Sequence, residues 1–142
     1  MKYDNKVSLI IDANSKNESF ARVSVASFAT QLDPTLEDIN DIKMAVSEAV
    51  TNAIIHGYDG EEGEIYINLG IIDDTLHIEI EDKGKGIEDI EKAMEPLYTS
   101  KPHMERSGMG FTVMEAFMDE ISVISNLGKG TKIYMNKQIK KN

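Results

Sequence analysis

Hydrophobic and polar positions along the 142 residues fall into two alternating periods. Residues 6–11, Lys-Val-Ser-Leu-Ile-Ile, read as a short opening strand. Ser15 and Glu18 have capping-box spacing, which predicts a helix from there to about Gln31 with Phe20, Val23, Phe28 and Leu32 on its apolar side. Asp33-Pro34 breaks that helix, and Pro34 suits the first turn of a second one. There Ile39, Ile42, Val46, Ala49, Val50 and Ala53 form a core stripe, and Gly57 after His56 supplies a stop.

The period then shortens to two. Ile65, Ile67, Leu69 and Ile71 alternate with polar or small residues, as do Leu76, Ile78 and Ile80, with Asp73-Asp74 as a hairpin turn between them. A short helix over 87–94, an irregular stretch over 95–108 and a helix from Gly110 to about Met118 follow. Two strands, near 120–125 and 131–136, flank Asn126-Leu127-Gly128-Lys129-Gly130. No repeat, low-complexity tract or linker divides the chain, so residues 1–142 are expected to form one domain. The order β-α-α-β-β-α-α-β-β predicts an α+β fold, a two-layer sandwich whose mixed, largely antiparallel sheet carries helices on one face.

Composition narrows the function. A net charge of −10 argues against direct nucleic-acid binding, although it fits either solubility or a basic partner. No cysteine is present, which removes disulfides and thiolate metal sites. No apolar run approaches the roughly 18 residues of a membrane span, and residues 1–5 show no signal-peptide core, so the expected setting is cytoplasmic.

Four segments carry candidate chemistry. Glu48 and Asn52 are four apart on the second helix, stacked one turn from each other, and His56 continues the line. The amide oxygen of Asn52 suits a Mg²⁺ ion that already carries phosphates and water, and Glu48 suits a general base; a solvated acid and amide fit the same spacing. Asp82-Lys83-Gly84-Lys85-Gly86 ends a strand. Its carboxylate suits an exocyclic amine such as that of adenine, and its glycines let backbone approach a flat ring, though an ordinary turn reads the same way. Arg106-Ser107-Gly108-Met109-Gly110 precedes a helix, where free N–H groups and the arginine suit phosphate. The polar stretch before it, including Thr99, Ser100, Lys101 and His103, has the profile of a lid or of a plain surface loop. Gly128-Lys129-Gly130-Thr131 reads as a hairpin turn, with the Thr131 hydroxyl available to a purine or its water.

Neither a P-loop, a Rossmann fingerprint nor the eukaryotic-type kinase motif set is present. The order of the four segments instead resembles the GHKL ATPase superfamily, which includes gyrase-type ATPases and sensor histidine kinases. Ser47 to Gly57 is similar to its N box, Asp82 to Gly86 to its first glycine box, Gly108-Met109-Gly110 to its second and Gly128 to Thr131 to its third. Asn17 to Val23, Gln31 to Thr35 and Ser47 to Tyr58 further resemble the anti-sigma F factors of spore-forming bacteria, with RsbW-like stress-response anti-sigma kinases the next nearest family.

The resemblance implies an ATP- and Mg²⁺-dependent serine protein kinase that also holds a sigma factor. It implies Glu48 as general base, Asn52 as the magnesium ligand and Asp82 as the adenine reader, with Arg106, Gly108 and Gly110 at the phosphates. Gly84, Gly86, Thr99, Ser100, Lys101, Ser107, Met109 and Thr131 complete the expected ATP/ADP site. The implied partners are a sigma F-like factor, an anti-anti-sigma factor and a second copy of the chain. Arg22 is a candidate partner contact, and a solvated arginine fits the same position. The role of His56 stays open. Rival readings are a nucleotide-gated binding module without useful kinase activity and a detached histidine-kinase catalytic domain; none of His56, His77 or His103 sits in the context of a phosphoacceptor histidine.

Overall fold

A computed structural model describes residues 2–88 and 110–140. Five strands, β1 (Asn5–Asp12), β2 (Glu64–Ile72), β3 (Thr75–Asp82), β4 (Glu120–Asn126) and β5 (Gly130–Gln138), form one sheet in the order β1-β2-β3-β5-β4. Every pairing is antiparallel, so the parallel component implied by a mixed sheet is not seen among the described residues. The β2–β3 hairpin turns at Asp73-Asp74 as expected, with Asp73 rather than a glycine taking positive φ. An aspartate tolerates that conformation because its short carboxylate is compatible with left-handed backbone.

Alternation places Ile65, Ile67, Leu69 and Ile71 of β2, Leu76, Ile78 and Ile80 of β3, and Ile133 and Met135 of β5 on one buried face. Helices α1 (Glu18–Ala29), α2 (Leu36–Asn52) and α3 (Gly110–Phe117) supply the opposing layer, with α2 in contact with both of the others. The opposite face of the sheet is polar. There His77 Nδ1 lies 2.5 Å from the Tyr134 hydroxyl, and burial pushes the imidazole below its ordinary range.

Two sequence expectations about α1 are corrected. The Asn14 side chain, not Ser15, accepts the capping bond, from Lys16 N–H, and a 3₁₀ turn over Ser15–Asn17 precedes the helix. The buried face of α1 is Ala21, Val25, Ala26 and Ala29, while Phe20 and Val23 are 56% and 51% exposed. Small residues at i, i+4 and i+8 let α1 lie close to α2, which turns the large apolar side chains outward. Phe28 and Leu32 do reach the core, as expected.

The start of α2 differs as well. Pro34 lies before the helix, and Thr35 is the N-cap in a full capping box with Asp38. Of the expected core stripe, Ile42, Val46, Ala49, Val50 and Ala53 are buried and Ile39 packs at the margin. The α-helical ladder stops at Asn52, and Ala53–Gly57 continues as one π turn, closed by Tyr58 N–H donating to Ala53 C=O at 3.0 Å. Such turns are rare and occur mostly at functional sites.

Candidate functional site

The π turn carries the end of α2 onto the ends of β3 and β5. Glu48 and Asn52 lie on α2 one turn apart, and both are partly buried beside the core stripe. His56 lies in the π turn and is likewise partly buried. The Asn52 amide nitrogen is fully buried with no hydrogen-bond partner. A buried unpaired amide costs about 1–3 kcal/mol, and its presence points to a polar ligand that completes it. No group of three acidic, histidine or cysteine side chains able to cage a metal occurs among the described residues. The orphaned Nδ2 is a donor and calls for an acceptor such as a phosphate oxygen or water, while the Oδ1 of the same amide is the atom that fits a hard cation such as Mg²⁺ bringing phosphate and water ligands with it.

Asp82 ends β3 on the helix-facing side, in the same alternation as Leu76, Ile78 and Ile80, and is only 5% exposed. Its Oδ1 accepts from Gly84 N–H at 2.9 Å, and the N–H of its cross-strand partner Thr131 also donates to the carboxylate. Burial pushes the Asp82 carboxyl above its ordinary range, and the two N–H donors oppose that shift without reversing it.

The glycines hold this corner together by direct backbone contact. A side chain on Gly57 would meet the Asp82 carboxyl at 2.7 Å, and one on Gly84 would sit 2.0 Å from Gly57 C=O. Lys85 N–H donates to that same carbonyl at 2.9 Å. Gly128 N–H donates to Lys85 C=O at 2.7 Å, and Gly86, at φ +80°, lies against Asn126. The sequence reading assigned Gly84 and Gly86 to close approach of a ring. Among the described residues, the close approach is between the segments themselves.

Two contributors escaped the sequence reading. Ser125 on β4 joins the first and third glycine segments: its hydroxyl accepts from Ile87 N–H at 2.7 Å, donates to Gly130 C=O at 3.1 Å and lies 2.8 Å from the Thr131 hydroxyl. Tyr58 donates to Glu64 C=O at 2.5 Å and accepts from Lys83 N–H at 2.8 Å, tying the helix end to both strands. Its place right after the N-box glycine was the only available signal, whereas a lone serine in a strand gives none.

The structure thus brings Asp82, Gly84 and Thr131 against the Gly57 turn that follows Glu48 and Asn52 on α2, sets Gly86 against Asn126, and has Gly110 open α3, which packs on α2. Arg22 stands apart on α1, paired with Glu18 at 3.2 Å. Thr99, Ser100, Lys101, Arg106, Ser107, Gly108 and Met109 lie outside the described residues, as do most of the predicted 87–94 helix and the 95–108 stretch.

This arrangement has counterparts. Residues 11–137 match the family model of the histidine kinase-like ATPase domain. An anti-sigma F factor of Clostridium acetobutylicum is 67% identical over 95% of this chain and 94% of its own length, and one from Clostridium perfringens is 60% identical over 96% and 98%. The chain belongs to the histidine kinase-like ATPases and, among them, to the anti-sigma F factor family. A solved structure of the RsbU and RsbW domains of Rv1364c from Mycobacterium tuberculosis superposes with a TM-score of 0.67 at 20% identity, over 95% of this chain and 32% of that one, which supports the fold. No helix among the described residues is long and apolar enough to cross a membrane.

Proposed function

We propose that the chain is an anti-sigma factor and serine protein kinase, which holds a sigma F-like factor away from RNA polymerase and phosphorylates a serine of an anti-anti-sigma factor with ATP. The observation that carries the chemical half is the buried, unpaired Asn52 amide one turn from Glu48, on the helix whose end docks on Asp82. The regulatory half rests on the 60–67% identity to anti-sigma F factors over nearly the whole chain.

In this reading the Asp82 carboxyl, whose backbone donors partly offset the cost of burial, accepts the adenine amino group. Asn52 would hold, through its amide oxygen, the Mg²⁺ that accompanies the phosphates, and that ion would supply neutralisation of the charge developing on the transferred group. Glu48 takes the proton of the attacking serine hydroxyl. Arg106, Ser107, Gly108, Met109 and Gly110 with Thr99, Ser100 and Lys101 face the phosphates. Catalysis is then mostly positioning and electrostatics.

Partner binding belongs to a separate surface. Phe20 and Val23 stand out from α1 on either side of Arg22 in sequence, an apolar pair with a cation between them. That combination suits a sigma factor held by a homodimer, with the nucleotide state setting which partner is favoured. A protein that withholds a sigma factor from polymerase works in the cytoplasm.

The deciding experiment mixes the protein with an anti-anti-sigma factor and γ-labelled ATP and maps the label. Wild type is expected to label one serine, and Glu48→Ala to lose about 100-fold or more in rate. Equal labelling by the two would remove Glu48 as base. No labelling by either, with sigma binding intact, would favour the nucleotide-gated binding module.

A further inference from the structure

We propose that Ser125 is a specificity-determining positioning residue: it fixes the Thr131 hydroxyl as a pure acceptor, so that Thr131 and Asp82 together select a purine with an amino group at position six over one with an oxo group. The inference rests on the nucleotide reading above and adds to it a reason for base choice.

The argument is a proton count. A serine hydroxyl has one hydrogen to donate and two lone pairs that accept. Ile87 N–H, 2.7 Å from Ser125 Oγ, can only donate and occupies one lone pair. Gly130 C=O, 3.1 Å away, can only accept and claims the single hydrogen. In the Thr131 contact at 2.8 Å either hydroxyl can donate, and with the serine hydrogen assigned to Gly130 C=O it is Thr131 that supplies its own hydrogen to the remaining lone pair. With that proton committed, Thr131 Oγ1 has lone pairs alone to offer a ligand.

Asp82 reinforces the same polarity. It is the cross-strand partner of Thr131 in β3–β5, so the two side chains lie side by side on the helix-facing surface. Thr131 is itself only 7% exposed, and Asp82 already takes two backbone N–H groups. Two adjacent buried acceptors complement an amino group and leave an oxo group unpaired, a mismatch that sites built for a hydrogen bond reject strongly. Ser125 belongs to β4, whose edge position puts it next to β5 alone; its effect on the ligand runs through Thr131.

The test titrates the full chain with ATP and with inosine triphosphate, which keeps the purine, ribose and triphosphate and presents an oxo group at position six. Wild type is expected to prefer ATP. Ser125→Ala releases the Thr131 hydroxyl to rotate and donate, and should shrink the ATP-to-inosine-triphosphate affinity ratio about tenfold. Ser125→Thr keeps the hydroxyl and should restore the ratio, which a purely structural role would not produce. If Ser125→Ala does not fold, Thr131→Val gives the answer, since loss of the acceptor must narrow the same ratio. An unchanged ratio in the alanine variant overturns the role of Ser125 and leaves the nucleotide site standing. Failure of wild type to bind ATP removes both.

Discussion

Tyr58→Phe takes away one oxygen atom that holds the end of α2 to two strands. The hydroxyl donates to Glu64 C=O at 2.5 Å and accepts from Lys83 N–H at 2.8 Å. Burial pushes the Tyr58 phenol above its ordinary range, so it stays protonated at neutral pH and able to donate. The ring itself remains in the variant, still against Gly63, where an added Cβ would come within 2.4 Å of it, and no cavity opens. Each lost bond is worth about 0.5–1.5 kcal/mol net. Glu64 and Lys83 are both exposed, so water replaces part of the loss and the sum lands near 1–2 kcal/mol. In a domain of this size that is a fall of roughly 3–6 °C in Tm. Lys83 lies between Asp82 and Gly84, so loosening its N–H should also weaken ATP binding, by about threefold or more. Thermal and urea unfolding with and without ATP, run beside a direct ATP titration, measure both effects. An unchanged midpoint together with an unchanged affinity would refute the strut.

Gly130→Ala should lose about 2–3 kcal/mol or fail to fold, because its φ is +108° and a Cβ would lie 2.0 Å from Asp82 C=O; urea unfolding checks it. Phe20→Asp should change stability by about 0.5 kcal/mol or less, since the ring is 56% exposed, while weakening sigma-factor capture tenfold or more in a pull-down titration. Asp82→Asn should raise stability at neutral pH and abolish tight ATP binding. The folded-state pKa of Asp82 is raised above 3.8, so the stability of the protonated form is fully present below that value and is lost as pH rises through the folded pKa. The advantage of the asparagine variant should therefore vanish near pH 3 and grow toward neutrality, which unfolding midpoints across that range would show.

The sequence made the hairpins and α2 readable because each depends on one strong, local pattern. Ile65 to Ile71 and Leu76 to Ile80 alternate strictly, and the α2 stripe repeats every three to four residues. The first helix misled because hydrophobic size was taken for burial. Its packing uses Ala21 and Ala29, which carry little weight in a hydrophobic pattern, and the adjacent helix decides which side is inward. The cap at Asn14 and the π turn at Ala53–Gly57 depend on backbone geometry that several sequences would satisfy. Within the candidate site, motif spacing picks out Glu48, Asn52 and Asp82 as candidates. Ser125 is not among them, because its importance comes from three bonds made to residues 38, 5 and 6 positions away, none of which a one-dimensional pattern encodes.

The glycines show why the site and the fold cannot be separated here. Gly84 and Gly130 exclude a side chain because backbone from another segment lies 2.0 Å from where a Cβ would be, and Gly57 excludes one because the Asp82 carboxyl lies 2.7 Å from its own. Their contacts converge on Asp82: Gly57 lies against its carboxyl, Gly84 donates to it, and Gly130 covers its carbonyl. Burial this deep opposes the charged carboxylate, and the backbone donors that the same glycines allow to approach offset part of that cost. The corner is therefore less stable than a neutral one would be, and nucleotide binding is the event that can repay the deficit, by linkage to the folded state. A corner built solely for stability would put an apolar side chain at position 82, as β3 does at 76, 78 and 80. The interruption of that series by a carboxylate, together with an unpaired Asn52 amide on the helix that ends at Gly57, is the physical mark of a surface shaped for a polar ligand.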